Sequence, residues 1–295
     1  MITFIINPIS GGARPDASRV RAEIASATVD CDGTPAEVFV TERPGHAREL
    51  TKAAVARGAR IVLAWGGDGT INEVASALVF GDVPLGIVPA GSGNGLARQL
   101  SISRKPLDAI RQAINAKPRQ IDVGEMGNRL FVNIAGIGFD AYVAWKFNEA
   151  GTRGLATYAS ISGRALLSYV PATYTIRADG DQNCPVVRAV MITVANSSEF
   201  GNGAIIAPGA RVDDGRLDLV VIEEDSRLKT VMQMPRLFQG TIDRAKACSI
   251  RQITEATIES DKPMNFHVDG EPVAGGKSIL VRVRPRALYV AVQAD

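Results

Sequence analysis

Two glycine-rich turns in tandem constrain this chain more than any other feature: Trp65-Gly66-Gly67-Asp68-Gly69-Thr70-Ile71-Asn72-Glu73 and Pro89-Ala90-Gly91-Ser92-Gly93-Asn94-Gly95. Each follows a short apolar run that reads as a buried strand, Ile61–Ala64 before the first and Leu85–Val88 before the second. Each opens into a helical pattern. Glycine at a strand end lets the backbone approach a ligand closely or turn through positive φ. The helix that follows presents unpaired N–H groups and a partial positive charge, which suits phosphate. On neighbouring strands the two turns read as a cradle for nucleotide phosphates, and the acid among the glycines, Asp68, points to metal-assisted phosphoryl chemistry.

The rest of the composition narrows the class. A chain of 295 residues exceeds the usual single domain, which favours two. Hydrophobic content of 46% with 22% charged residues is that of a globular enzyme. A net charge of +2 with no Lys/Arg block argues against a nucleic-acid partner. Cys31, Cys184 and Cys248 are odd in number and lack paired spacing, so neither a disulfide framework nor a zinc site is expected. Residues Met1 to Pro8 lack a basic lead and read as a first strand rather than a signal peptide. No apolar run approaches the roughly 18 residues that span a bilayer. A cytoplasmic protein without a transmembrane segment is the expectation.

Along the chain, strands and helices alternate up to Ile121. Ile2–Ile6 is a strand that ends in a third turn, Asn7-Pro8-Ile9-Ser10-Gly11-Gly12. A helix is predicted over 16–28, a strand over Glu37–Thr41, and a helix from Pro44 to Arg57 closed by Gly58. Helices are also predicted over Thr70–Leu78, near Leu96, and over Leu107–Asn115. Such alternation implies a parallel sheet covered on both faces, with ligands at the carboxyl ends of its strands. The glycine turns and Thr41 all fall there. After Ile121 the period changes. Leu130–Ala135, Tyr174–Arg177, Val186–Val194, Leu217–Ile222, Gln252–Ile258, Met264–Val268, Ile279–Val283 and Leu288–Val292 are short, β-branched and bounded by turn residues. They predict a β-rich sandwich domain over 122–295, following an α/β domain over 1–121; the last strand is free to return to the first domain. Leu155–Val170 has helical spacing before Pro171, and packing on the sandwich accounts for it better than docking on a membrane.

The Gly-Gly-Asp-Gly-Thr-x-Asn-Glu block resembles the signature of the diacylglycerol kinase catalytic family, which includes bacterial lipid kinases and the sphingosine and ceramide kinases. The likeness runs nearly end to end. Asn7-Pro8 with Ser10-Gly11-Gly12 resembles the family's opening turn, and Asn133 to Asp140 its inter-domain motif. Asp213-Asp214-Gly215-Arg216-Leu217-Asp218 is similar to its metal loop, and His267-Val268-Asp269-Gly270-Glu271-Pro272 to its late acidic motif. The resemblance implies a nucleotide-binding α/β fold like that of NAD kinases, joined to a β-sandwich.

Several residues then acquire roles. Asp68 can meet a hydrated Mg²⁺ on the phosphates, or simply cap the helix at Thr70. Gly66, Gly67, Gly69, Thr70 and Asn72 offer donors to ATP, as do Gly91, Ser92 and Asn94 from the second turn. By resemblance Asn7, Gly11, Gly12 and Thr41 join the nucleotide site. Glu271 is the candidate general base, with Asp269 across a glycine from it. A plain Asp-Gly hairpin explains the same residues without chemistry. The resemblance also implies a structural Mg²⁺ held by Asp213, the carbonyl of Arg216 and Asp218, where a solvated turn would serve equally well on residues alone. Asp140 is expected to face the acceptor hydroxyl or head group, and His267 to pack beside the turn.

One position departs from the family pattern. Bacterial diacylglycerol kinases usually place Asp after the second-turn Asn; here that residue is the small Gly95, and the loop resembles more that of sphingosine and ceramide kinases. The chain is thus expected to be an ATP- and Mg²⁺-dependent lipid kinase acting on diacylglycerol or a sphingoid- or ceramide-like lipid. It would be peripheral to the membrane during turnover, with Arg14, Arg19 and Arg21 available to anionic lipid and a homodimer left open. A kinase of a soluble metabolite such as NAD, or a nucleotide-binding regulator without turnover, are the competing readings.

Overall fold

The computed structural model describes residues 1–10, 36–149 and 155–292, without the side chains of 155–159 and 167. Gly11, Gly12, Arg14, Arg19, Arg21, Cys31 and the helix expected over 16–28 lie outside the described residues. The chain divides into two compact units: Met1–Ile121 with the C-terminal segment from Arg286, and Asp122–Pro285.

The first unit alternates as its periodicity requires: β1 (Ile2–Ile6), β2 (Ala36–Val40), α1 (His46–Ala56), β3 (Ile61–Gly66), α2 (Asp68–Leu78), β4 (Leu85–Pro89), α3 (Gly95–Gln99) and α4 (Pro106–Asn115). Strands β2, β1, β3 and β4 lie side by side in that order, all parallel. The end of the chain's final strand adds to β4, Val290 beside Leu85. Strands β1, β3 and β4 are buried along their whole length, which is why they read as unbroken apolar runs. Edge strand β2 instead alternates between exposed and half-buried. Phe4, Leu63, Trp65 and Val88 share one core with Ala109, Ile110 and Ala113 of α4. Helix α1 starts at His46 rather than at Pro44. Gly45 turns through φ 81°, and the Glu73 carboxylate accepts the N–H groups of Gly45 (2.7 Å) and Ala47 (3.0 Å). The last residue of the first glycine turn is therefore a cap for a neighbouring helix.

The second unit is antiparallel throughout its described pairings. It comprises β5 (Pro118–Met126, entering from the first unit), β6 (Arg129–Phe131), β7 (Ile134–Gly138), α5 (Phe139–Glu149), α6 (Leu155–Ser168), β8 (Ala172–Ala178), β9 (Val186–Ala195), β10 (Leu217–Glu223), α7 (Arg227–Gln233), α8 (Pro235–Phe238), β11 (Cys248–Ile253), β12 (Glu255–Glu259), β13 (Asn265–Val268), β14 (Glu271–Ala274) and β15 (Ser278–Ala291). Strand β9 is the branch point. Its first half pairs with β8; its second half pairs with β7 on one edge and β10 on the other. Phe131, Ile137, Ile192, Val194, Ile258, Phe266 and Val281 fill the main core between these strands.

The structure corrects several predicted elements. The run Leu130–Ala135 is two strands, broken at Val132-Asn133, because the Asp269 carboxylate takes the N–H groups of Val132, Asn133 and Ile134, each at 2.9 Å. The run Gln252–Ile258 is likewise broken at Thr254, where Asp179 Oδ1 accepts the N–H groups of Thr254 (2.8 Å) and Glu255 (3.0 Å). The last two predicted strands are one, β15, whose first half pairs with β12 and whose end belongs to the first unit. Helices α5, α7 and α8 and strands β5 and β14 were not predicted. Asp269 organises the most consequential of these breaks. Asp269→Asn leaves one acceptor oxygen for three donors, and is expected to lower unfolding free energy by roughly 2–4 kcal/mol, measured by urea denaturation.

Candidate active site

Parallel strands put their carboxyl ends on one edge of the sheet, so the turns after β1, β3 and β4 and the residue after β2 come together there. They are tied to one another by side chains. Asn7 Nδ2 donates to Thr70 Oγ1 (3.0 Å), and Asn7 Oδ1 accepts the Ile9 N–H (3.1 Å). Ser10 Oγ accepts the Gly67 N–H (3.3 Å). Thr41 follows β2, its N–H on the Ile6 carbonyl (2.8 Å).

Asp68 is the centre of this edge. It is the first residue of α2, yet α2 has no side-chain cap. Its oxygens instead accept the N–H groups of Asn94 and Gly95, both at 2.9 Å. Those donors stand at the N-terminus of α3, so the expected cap at Thr70 is replaced by a cap on the neighbouring helix. Asn94 is buried in a left-handed conformation (φ 54°), and its side chain both accepts from Gly91 N–H (2.9 Å) and donates to Gly91 carbonyl (2.7 Å). Asn94 thus locks the loop, beside the phosphate contact expected of it. Ser92 stands exposed at the tip. Asn72 is buried within α2, its Oδ1 accepting the Ser76 hydroxyl (3.4 Å).

The glycines are required by this packing. A Cβ on Gly91 would stand 2.6 Å from Gly67 Cα, and one on Gly66 would meet the Thr70 side chain at 2.6 Å. Backbone meets backbone between the two turns. What remains presented is the first turn of α2, where Asp68, Gly69 and Thr70 have no intrahelical acceptor for their N–H groups, since the ladder begins with Ile71 N–H on Gly67 carbonyl (3.0 Å). That helix end suits a phosphate oxygen by both hydrogen bonding and dipole.

In the second unit, β13 and β14 form a hairpin with Val268 opposite Glu271. Its two turn residues, Asp269 (φ 47°) and Gly270 (φ 85°), both take positive φ, as a tight hairpin with matching twist demands. The Asp269 oxygens hold the break between β6 and β7, a positioning part beside the catalytic one expected of it. Glu271 is exposed at the head of β14.

Behind the hairpin lies a buried polar group that the sequence did not foretell. His267 Nδ1 accepts the Gly270 N–H (3.3 Å), and its Nε2 faces Asp140 Oδ2 (3.4 Å). Asp140 also accepts from Thr193 Oγ1 (3.1 Å) and from the Ala141 N–H (2.7 Å). Asp140 is only 6% exposed. Its carboxylate reaches the hairpin through His267.

In the loop expected to bind metal, Asp218 is buried in β10 and Asp213 lies exposed near Arg211 (3.7 Å). Asp214 accepts the Arg216 N–H (3.0 Å) and Gln252 Nε2 (3.1 Å). Burial, with the charge of Asp214, pushes the Asp218 carboxyl up to about 6. A buried acid so disfavoured as an anion is one that a nearby cation would relieve. Asp122, fully buried, accepts the Gly215 N–H (2.6 Å) and was missed because it lies far off in sequence. Among the described residues no cluster of three or more His, Cys, Asp or Glu side chains is placed to hold a metal. A hard cation here would need carbonyl and water oxygens as well.

A parallel sheet with glycine turns at its carboxyl edge, joined to a β-rich antiparallel unit, defines a nucleotide-dependent kinase fold. Residues 1–126 match the diacylglycerol kinase catalytic domain, and residues 133–292 match the YegS C-terminal NAD kinase beta sandwich-like domain. The chain belongs to the diacylglycerol kinase–YegS family of lipid kinases and uses ATP as that family does. A Pseudomonas aeruginosa protein named "Probable lipid kinase YegS-like" is 30% identical over 290 residues, 96% of this chain and 92% of that one. A Mycobacterium tuberculosis protein named "Diacylglycerol kinase" is 29% identical over 279 residues, 92% of this chain and 88% of that one. The crystal structure of a diacylglycerol kinase from Bacillus anthracis has the same fold, with a TM-score of 0.74 at 17% identity over 99% of this chain and 96% of that chain.

Two measurements bear on this geometry. Gly91→Ala should weaken ATP binding by roughly tenfold or more, about 1.4 kcal/mol, as read by calorimetry. The second concerns Asp218, whose carboxyl is raised from 3.8 to about 6 in the fold. The folded state then holds this proton more tightly than the unfolded chain, so this group makes stability fall as pH rises from about 4 to about 6. In the presence of chelator, Asp218→Asn should therefore gain in melting temperature relative to wild type across that window.

Proposed function

We propose that the chain transfers the γ-phosphate of ATP to a hydroxyl of a membrane lipid, with diacylglycerol first among the acceptors and a sphingoid- or ceramide-like lipid second. The single observation that supports this best is the Asp68 bridge. By capping α3 it fixes the two glycine turns and leaves the start of α2 to phosphate, which is the preorganised positioning that phosphoryl transfer needs. The names of the relatives supply the lipid class. Gly95, whose N–H is spent on Asp68, supports keeping the sphingoid- or ceramide-like acceptor in view, because no second carboxylate stands there.

In this reading Asn7, Thr41, Gly66, Gly67, Gly69 and Thr70 surround the phosphates, and Asp68 would hold Mg²⁺ through water. Mg²⁺ bound there would supply positive charge to the phosphates during transfer. Asp213, the Arg216 carbonyl and Asp218 would hold a second, structural Mg²⁺, with Asp122 bracing their loop through the Gly215 N–H. Glu271 takes the acceptor proton. Asp269 and the Asp140–His267 pair hold the hairpin that carries it. The protein acts at the membrane as a peripheral enzyme.

Radiolabelled ATP offered with diacylglycerol, sphingoid base, ceramide and a total lipid extract, resolved by thin-layer chromatography, tests the acceptor. Labelled product from NAD alone would refute the lipid reading. For the chemistry, Glu271→Gln should retain ATP binding yet cut kcat by roughly 10²–10⁴-fold, a loss of about 3–5 kcal/mol of transition-state stabilisation. Normal turnover by Glu271→Gln alongside an inactive Asp68→Asn would make Glu271 a turn residue and Asp68 the candidate base.

A further inference from the structure

The phosphate cradle and the acidic hairpin leave unexplained a helical excursion of the second unit, α7 and α8, inserted between β10 and β11. Neither helix contains a buried residue. Leu228, Val231 and Met232 recur at helical spacing on one face, and all are exposed, Leu228 at 71% and Met232 at 67%. Phe238, closing α8, is 64% exposed. Single exposed apolar side chains are ordinary, but several gathered on one excursion are not. The excursion is nevertheless anchored. Leu237 packs against the cluster of Ile134, Ile206 and Val220, and its carbonyl accepts the Ile205 N–H (2.8 Å). Ser226 caps α7 by accepting the Lys229 N–H (3.4 Å). Val170, also exposed, adjoins it: Val170, Pro171, Arg227 and Thr230 line one cavity of about 130 Å³.

Charge accompanies the apolar face. Residues 226–238 contain Arg227, Lys229 and Arg236 and no acidic residue. Lys229 is paired with Asp225 (3.2 Å), which leaves the segment and its partner net positive.

We propose that the α7–α8 excursion is the element by which this kinase docks on an anionic bilayer. The proposal rests on the reading that the acceptor is a membrane lipid. Such an acceptor keeps its hydroxyl at the bilayer surface, and among the described residues no helix is long and apolar enough to cross a membrane. Exposed leucine, methionine and phenylalanine beside arginine and lysine are the means by which an element lies in the interface of an anionic membrane. A second copy of the chain fits less well. A stable dimer needs roughly 800 Å² of complementary surface from each partner, more than helices of 7 and 4 residues provide.

The test is co-sedimentation of the full chain with vesicles of phosphatidylcholine containing roughly one-third phosphatidylglycerol. The wild-type chain should bind, and the triple variant Leu228→Glu, Met232→Glu, Phe238→Glu should bind at least about tenfold more weakly. All three side chains are exposed, so its melting temperature and ATP affinity should match wild type. Should the triple variant melt early, Phe238→Trp replaces it, with a blue shift of emission expected on adding vesicles. A wild type that stays in the supernatant overturns the proposal. So does a triple variant that sediments like wild type, a Phe238→Trp emission that does not move, or a triple variant that converts a dimer to a monomer by light scattering. Vesicle binding is read without turnover, so a failed kinase assay and a failed docking assay are separate results.

Discussion

The cradle depends on one carboxylate. Asp68 reaches from the start of α2 to the N–H groups at the start of α3, and a hydrogen bond to an ionised group is among the stronger ones a fold can make. Two consequences follow from its charge. The positive end of α3 is satisfied from within the protein, so it does not compete for phosphate. The turns it joins can then approach until Gly67 and Gly91 touch backbone to backbone, a distance no side chain would permit. The selectivity for glycine at these positions comes from this mutual contact of the turns as much as from any ligand.

The same device recurs wherever the fold needs an irregular backbone held still. Glu73 caps α1, Asp179 pins the break between β11 and β12, and Asp269 pins the break between β6 and β7. Each places one acid against several donors that would otherwise lie unpaired beside or within buried structure, where an unmet N–H costs about 1–3 kcal/mol. Acids of the signature motifs therefore serve the architecture even where chemistry is also assigned to their neighbours. Asp269 and Glu271 illustrate the division. They stand two positions apart on one tight turn, one spent on backbone donors and the other exposed at the head of β14.

What the sequence revealed and what it hid divide along physical lines. The parallel sheet was legible because β1, β3 and β4 are buried on both faces and leave unbroken apolar runs, and because the glycine turns mark their carboxyl ends. The breaks inside Leu130–Ala135 and Gln252–Ile258 were not, because β-branched residues continue straight through them and the acids that cause them lie far away in the chain. Asp122 on Gly215, and Asp140 on His267 and Thr193, were hidden for the same reason. A contact over such separation leaves no periodicity. Helix α5 was missed because its start overlaps the inter-domain motif and its apolar residues do not form a clean stripe. Helices α7 and α8 were missed because they are short, 7 and 4 residues, and none of their residues is fully buried.

His267 shows why the buried polar group behind the hairpin is a brace. An N–H from Gly270 points at Nδ1, which must then be the unprotonated nitrogen, and the ring proton sits on Nε2, toward Asp140. The imidazole thus has one donor and one acceptor, each matched. A side chain held in this way, between the Gly270 N–H and Asp140, orients the turn that leads into Glu271.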